Sequence, residues 1–313
     1  VADLKNHFSF SFSRHADLKE CPRRYYWRRY GYWNGWKDNA SKESTKAWKL
    51  KRLSSPQILM GNVLHDAICK DLTHLKGGND LGTDKALGYI RREIIKGYDQ
   101  SNELKFLEDK TAVTFTGDYY PSMNRWLKPL DEILEASEAL FRNYHASRLR
   151  AFLKKNPNRI KSMEVLEDME VMKVKVYVKL DLLMASNRSS HLVVDFKTGK
   201  RSEEHPDQLA LYGMFLHEKM SVPLNQIGFQ MVYLKEGVDV TEDMPQFTKQ
   251  DFVRTKERIL AEVVEEQGYL IGSTKDNIAK PIEEFPMNKG NACRFCVYRE
   301  LCDVEKGVLD DGF

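Results

Sequence analysis

Long apolar runs are missing from this chain of 313 residues. No stretch approaches the ~18 residues that a membrane helix needs, so no membrane partner is expected. Val1–Ser11 does not open on charge followed by an apolar segment, which speaks against a signal peptide. No tract of proline, glycine or serine marks a linker, and there is no internal repeat or low-complexity segment. Collagen-like and disordered classes are therefore excluded. A G-x-x-x-x-G-K-[ST] phosphate loop is absent, and with it any recognisable ATP motor of that type. Cysteine is scarce and odd in number: Cys21, Cys69, Cys293, Cys296 and Cys302, the last three within ten residues. That distribution does not suit a secreted disulfide framework. A reducing compartment, read as the cytoplasm, and a metal site suit it better.

The chain is rich enough in apolar residues to bury a sizeable core: 42% are hydrophobic and 11% aromatic, against 30% charged. The net charge of +3 says little, but its distribution says more. Residues 1–54 hold 13 Lys/Arg and 5 Asp/Glu, so the remainder is net acidic. A basic segment on a near-neutral chain favours a polyanionic partner, whereas a solvated helical face is the plainer reading. Within Cys21–Lys37, Arg23, Arg24, Arg28 and Arg29 interleave with Tyr25, Tyr26, Trp27, Trp33 and Trp36. Arginines neutralise phosphates and aromatic faces stack bases, so single-stranded nucleic acid is a candidate ligand. We expect most of these aromatics to be structural and some of the arginines to contact DNA.

Periodicity places the elements. Ser11 and Ser13 are positioned to cap a helix over Arg14–Tyr30. Residues 38–56 read as a loop ending at Pro56. Met60, Val63, Leu64, Ala67, Ile68 and Leu72 form the apolar stripe of a helix over Ile58–Leu75. Residues 84–155 read as largely helical. Strict alternation then predicts a strand over Val174–Met184, a turn at Asn187–Ser190 and a second strand over Leu192–Lys197, together a hairpin. A helix over Pro206–Lys219, a strand over Ile227–Tyr233 and a helix over Phe252–Gln267 follow. Pro281–Phe313 reads as a loop-rich cysteine segment.

The chemistry concentrates in a few residues. Asp195 and Lys197 share one face of their strand, while Phe196 points to the other. Asp181 lies on the polar face of the preceding strand, so pairing brings two carboxylates together. Such a pair repels unless a cation sits between, and oxygen ligands suit Mg²⁺ or Mn²⁺. Gly61 and His65 share a helical face, as do Gln208 and Tyr212. Cys293-x2-Cys296-x5-Cys302 needs a fourth ligand, for which Cys21 is the candidate. Zinc and a 4Fe–4S cluster both accept four thiolates, and the spacing leaves both open. Cys69 reads as a packed thiol.

Taken in order, Gly61-x3-His65, Asp181, Asp195-x-Lys197 and Gln208-x3-Tyr212 resemble the PD-(D/E)XK nuclease superfamily and its RecB-like branch. Phe12-Ser13-x7-Cys21-Pro22-Arg23 is similar to the start of that branch. One cysteine before the core and three after it resemble its iron–sulfur members: CRISPR-adaptation nucleases, the AddB nuclease domain and eukaryotic iron–sulfur exonucleases. The resemblance implies an α/β fold, a mixed central sheet flanked by helices like a restriction-endonuclease core. It implies one nuclease domain over 1–313, a helical insertion over 76–160, and a clamp joining segment 281–313 to Cys21. His65, Asp181, Asp195 and the Phe196 carbonyl would hold Mg²⁺ or Mn²⁺, with Glu164 as a supporting acid. Lys197 would be the catalytic lysine, and Gln208 and Tyr212 would position it or DNA. Cys21, Cys293, Cys296 and Cys302 would hold a 4Fe–4S cluster. The implied activity is hydrolysis of DNA phosphodiesters, first as an exonuclease on single-stranded ends. The setting would be recombination, repair or CRISPR adaptation, beside a helicase or other recombination or CRISPR partner. The branch often has glycine where Val178 stands. Rival readings are a non-catalytic DNA-binding or assembly subunit and a zinc-stapled endonuclease.

Overall fold

The residue before a proline is pushed out of the helical region, and Pro22 acts in this way on Cys21. In the computed structural model, Cys21 is extended, with φ −160°. The helix expected over Arg14–Tyr30 is thereby divided into α1 (Phe12–Glu20), α2 (Pro22–Tyr26) and a wider turn over Trp27–Gly31. Ser11 caps α1 through the Arg14 N–H. The structure describes residues 4–107, 109, 111–187, 190–199, 205–244 and 246–302. Arg188 and Ser189 of the expected turn, and 303–313 of the cysteine segment, lie outside them.

The segment read as a loop over 38–56 contains a helix, α3 (Lys42–Leu50), started by Ser41 accepting the Ser44 N–H. Only Ala47 and Leu50 of it are buried, too few to leave an apolar stripe. The next helix, α4 (Pro56–Lys76), has proline in its first turn and Ser55 as its cap. Its expected stripe is buried except for Met60, which is half-buried. The region 84–155 is helical in pieces: α5 (Thr83–Asn102), α6 (Thr116–Tyr119), α7 (Leu130–Ala146) and α8 (Arg148–Lys155), with turns between.

A strand the periodicity did not signal follows, β1 (Ile160–Val171). Met172 and Lys173, both at positive φ, turn it into β2 (Val174–Met184), the geometry of a tight hairpin. β2 pairs antiparallel with β3 (His191–Lys197), as expected, through Leu182–Val194, Leu183–Val193 and Met184–Leu192. After α9 (His205–Met214), β4 (Ile227–Tyr233) joins β3 in parallel, and β5 (Thr241–Met244) closes the sheet antiparallel to β4. The order β1-β2-β3-β4-β5 is the mixed sheet expected. Helix α10 (Lys249–Gln267) and a small hairpin of β6 (Leu270–Ile271) and β7 (Ile278–Ala279) follow.

Side chains of the sheet pack into two cores, and β2 changes face between Leu180 and Leu182. Leu182, Met184, Val194 and Phe196 pack with α4, α5 and α7. Val178, Leu180, Val193 and Met231 pack with α9 and α10. Under α4, Arg150 grips the buried Asp71 with two hydrogen bonds of 2.8 Å, and the Tyr144 hydroxyl donates a third. The cysteine segment lies against the first helices. Arg23 donates its backbone N–H to Pro286 and its Nε to Phe285, and the Asn288 side chain donates to Glu20. Phe285 is buried between Leu18 and Tyr25. Among the described residues, no helix is long and apolar enough to cross a membrane.

Candidate active site

The β2–β3 ladder ends at the Leu182–Val194 pair, one step short of Asp181 and Asp195. There the strands part, and Asp181 Oδ2 accepts the Phe196 backbone N–H at 2.8 Å. Phe196 is buried with its ring edge-on to Tyr144. Asp195 and Lys197 therefore face the other way, as the alternation predicts. Asp195 is 4% exposed. Its Oδ2 lies 2.6 Å from Lys197 Nζ but receives no aligned hydrogen bond.

Helix α4 delivers His65 to the same place. His65 Nδ1 is 3.3 Å from Glu164 Oε1 and 3.6 Å from Asp181 Oδ2. His65, Glu164 and Asp181 offer ligand atoms within 4.8 Å of one another, the single group of this kind among the described residues. Glu164, read from the sequence only as a supporting acid, is thus brought into the cluster. It sits on β1 at φ 51°, a left-handed conformation that side chains rarely adopt. Asp195 is not one of the three and acts on the group through its charge.

That crowding of acids shifts the site. Burial first, and the Asp195 charge second, push the Asp181 carboxyl up to about 7. Burial opposes the charged form of His65, but Glu164 and Asp181 outweigh it and raise its pKa. Glu164 is lowered: burial works against its charge, and hydrogen bonds from His65 and Lys179 prevail. The Tyr212 hydroxyl is raised by burial, then by Asp195 and Asp181. Gln208 Nε2 donates to it at 2.6 Å, so this pair does share a face. His65, Asp181, Asp195, Lys197 and Tyr212 all line one open cleft of ≈ 1340 Å³, walled opposite by α1 and α10.

Other sequence expectations meet different surroundings. A Cβ on Gly61 would be 3.5 Å from the Thr198 hydroxyl, an ordinary side-chain contact. Cys69 is half-buried and lines a second cavity with His65, Glu164 and Lys179, so it is less enclosed than a packed thiol. The arginines have partners inside the protein. Arg24 and Arg28 both bond the buried Asp17 carboxylate, at 3.0 and 2.9 Å, and Arg29 lies 3.7 Å from it. Arg23 is spent on the cysteine segment. Tyr25 and Trp27 are buried. Cys21 and Cys293 act on Cys296, and Cys296 and Cys21 on Cys302, through their charges. Burial pushes Cys296 up to about 11 and Cys302 to about 12. No three of these sulfurs lie within 4.8 Å of one another, so they form no compact ion-sized group.

Comparison with known proteins adds one clear match. The model of the PD-(D/E)XK nuclease superfamily fits residues 9–303. Among solved structures, one titled "Crystal structure of SSO0001" aligns at 15% identity over 59% of this chain and 77% of that chain. Its TM-score of 0.25 is too low to carry an argument. No curated protein matches the sequence.

Proposed function

This chain belongs to the PD-(D/E)XK nuclease superfamily, and we propose that it is a deoxyribonuclease of the RecB-like branch that requires Mg²⁺ or Mn²⁺ and works as an exonuclease on single-stranded ends. The observation that carries this reading is the meeting of His65, Glu164 and Asp181, two of which, His65 and Asp181, line one cleft with Asp195 and Lys197. A hard divalent cation suits those donors, which are carboxylates and one imidazole. It also suits the buried Asp195 oxygen that lacks an aligned donor. His65, Asp181, Asp195 and Glu164 would hold the ion, with the Phe196 carbonyl, which alternation along β3 turns toward β2. Such an ion would make a bound water a better nucleophile near neutral pH and would polarise the phosphate. Lys197 holds an ammonium beside Asp195, placed to stabilise charge developing on the scissile phosphate. Tyr212, fixed by Gln208, orients that lysine or the strand. Arg28, the most exposed of the Asp17 arginines at 48%, is available to backbone phosphates along with Arg23, Arg24 and Arg29 at their edges.

We read 1–313 as one nuclease domain, with 76–160 as an insertion that packs on α4, and 281–313 as a clamp onto Cys21. Cys21, Cys293, Cys296 and Cys302 are assigned to a 4Fe–4S cluster. The assignment rests on the spacing, one cysteine before the core and three after it; among the described residues no three of these sulfurs form a compact group. All five cysteines are unpaired, in keeping with a reducing compartment such as the cytoplasm. Recombination, repair or CRISPR adaptation, beside a helicase or similar partner, is the setting this activity fits.

The test is a time course on single and double strands labelled at either end, with Mg²⁺ or Mn²⁺. Wild type should shorten single strands from an end, and Lys197→Ala should not. A Lys197→Ala protein as fast as wild type would refute the assignment.

A further inference from the structure

One face of α4 leads away from the cleft to another cavity. Gln57, Gly61 and His65 recur every four residues and so share a stripe of the helix. His65 belongs to the carboxylate cluster, while Gln57 edges a pocket of ≈ 400 Å³ at the start of the helix. Ten residues of helix separate Ser55 from His65, about 15 Å at 1.5 Å per residue.

The pocket is built for negative charge. Arg24, Arg28 and Lys51 line it, with the hydroxyls of Ser54, Ser55 and Thr116. The N-terminus of α4, the positive end of its dipole, opens there. Pro56 has no N–H, Ser55 takes that of Ile58, and the Gln57 N–H has no acceptor within the helix. Positive charge is in excess around it: Arg24, Arg28 and Arg29 crowd the Asp17 carboxylate, and among the described residues only Arg24 reaches a second, Glu20. Arg24 Nε is buried with no hydrogen-bond partner among the described residues. Lys51 rests on the Tyr32 ring, its Nζ 3.3 Å from the centroid, and pairs with no carboxylate among the described residues. Burial, then Arg29, Arg28 and Arg14, depress Lys51 to about 7, a strain that a bound anion relieves.

We propose that this pocket binds a phosphate monoester, and that the terminal phosphate of a nucleic-acid strand is its source. The choice of source rests on the proposed function; inorganic phosphate offers the same chemistry. Three cations and a helix N-terminus match a dianionic end group better than a backbone diester with one charge. A strand held there by its end runs along the α4 stripe, past Gly61 and the Thr198 hydroxyl beside it. It reaches the carboxylate cluster after a few nucleotides.

The experiment uses the full chain carrying Asp195→Asn, which removes the reaction and leaves the pocket intact. Fluorescence anisotropy compares short single strands bearing a 5′-phosphate, a 3′-phosphate or neither. Lys51→Gln and Lys51→Arg are added in turn, with circular dichroism confirming their fold. One phosphorylated end should bind about tenfold tighter. Lys51→Gln should erase that preference, Lys51→Arg should keep most of it, and the bare strand should bind all three proteins alike. Equal affinity for the three strands overturns the strand-end source. Calorimetry with inorganic phosphate alone then separates two cases. Uptake that needs Lys51 upholds the phosphate pocket with free phosphate as ligand, and no uptake overturns the pocket altogether. Hydrolysis of the bare strand by wild type in Mg²⁺ is a separate readout. Its failure removes the nuclease reading and leaves the phosphate result to stand or fall by itself.

Discussion

Asp181 Oδ2 takes the Phe196 N–H at 2.8 Å, so a side chain stands where the β2–β3 ladder would otherwise continue. On the opposite edge of β3, the Lys197 carbonyl accepts the Leu234 N–H at 3.0 Å. Strand alternation then turns the Phe196 carbonyl to the Asp181 side. One hydrogen bond thus keeps the strands apart, presents Asp195 and Lys197 in the gap, and aims a backbone oxygen at it.

Removing charge from that gap should abolish reaction before it harms the fold. For Asp181→Asn, Mg²⁺-dependent hydrolysis of single-stranded DNA should fall by about 10²–10³-fold, the scale of losing one electrostatic group. Lys197→Ala should lower kcat with little change in KM, because its charge acts on the transition state. Steady-state kinetics on both variants decide it; a raised KM at full kcat would place Lys197 in binding instead.

Divalent ions should stabilise the protein. A ligand at a hundredfold its Kd adds about 2.7 kcal/mol, so the thermal midpoint should climb with added Mn²⁺. Glu164→Gln and His65→Ala should blunt that rise. If Mn²⁺ raises Glu164→Gln as much as wild type, Glu164 is not a ligand.

Stability should decline with pH because of Glu266. This carboxyl is buried against Tyr25, which donates to it at 2.9 Å, and burial raises it to about 7. Arg14, Arg29, His15 and Glu262 also face it. A carboxyl raised on folding stabilises fully below its unfolded pKa and loses that contribution as pH rises through the folded value. The loss across pH 4.5 to 7 is on the order of 2–3 kcal/mol. Thermal midpoints of wild type should therefore drop across this window relative to Glu266→Gln. Parallel curves would show that Glu266 does not carry the effect.

Arg150 and Asp71 form a pair almost closed to solvent, with side chains 4% and 1% exposed. Arg150→Met leaves Asp71 charged and uncompensated, at a cost of about 3–5 kcal/mol. Urea unfolding measures it, and a loss under about 1 kcal/mol would mean that Asp71 is rescued by water or by protonation.

Protein purified without oxygen should absorb in the visible and contain iron and sulfide. Cys302→Ser should lose both and unfold more readily, since a staple joining such distant segments is worth about 5–6 kcal/mol on a chain-entropy model. Zinc without iron would end the cluster assignment.

Much of the site was legible in the sequence because period two over Val174–Leu180 marks the strand that carries Asp181, although β2 changes face at that residue. The same rule put Asp195 and Lys197 together and Phe196 in the core. The stripe on α4 likewise fixed which way His65 projects. β1 escaped because Val165 and Leu166 are both exposed and Glu164 breaks the alternation through its positive φ. Its place in the cluster depends on that backbone kink, which no periodicity records. The arginines looked free because their partner, Asp17, lies on α1, across a bend at Cys21 that Pro22 signalled. α3 was overlooked for want of apolar residues, although Ser41 marked its start.

From Pro56 to Lys76, α4 runs unbroken. A rigid rod fixes phase as well as distance. One residue inserted between Gln57 and His65 would swing one end by about 100° relative to the other, leaving every side chain intact but aimed at different sides. About seven inserted residues, two full turns, would restore the aim and lengthen the gap by roughly 10 Å. The register of this rod is thus a variable in its own right, able to change while each residue at either end stays the same.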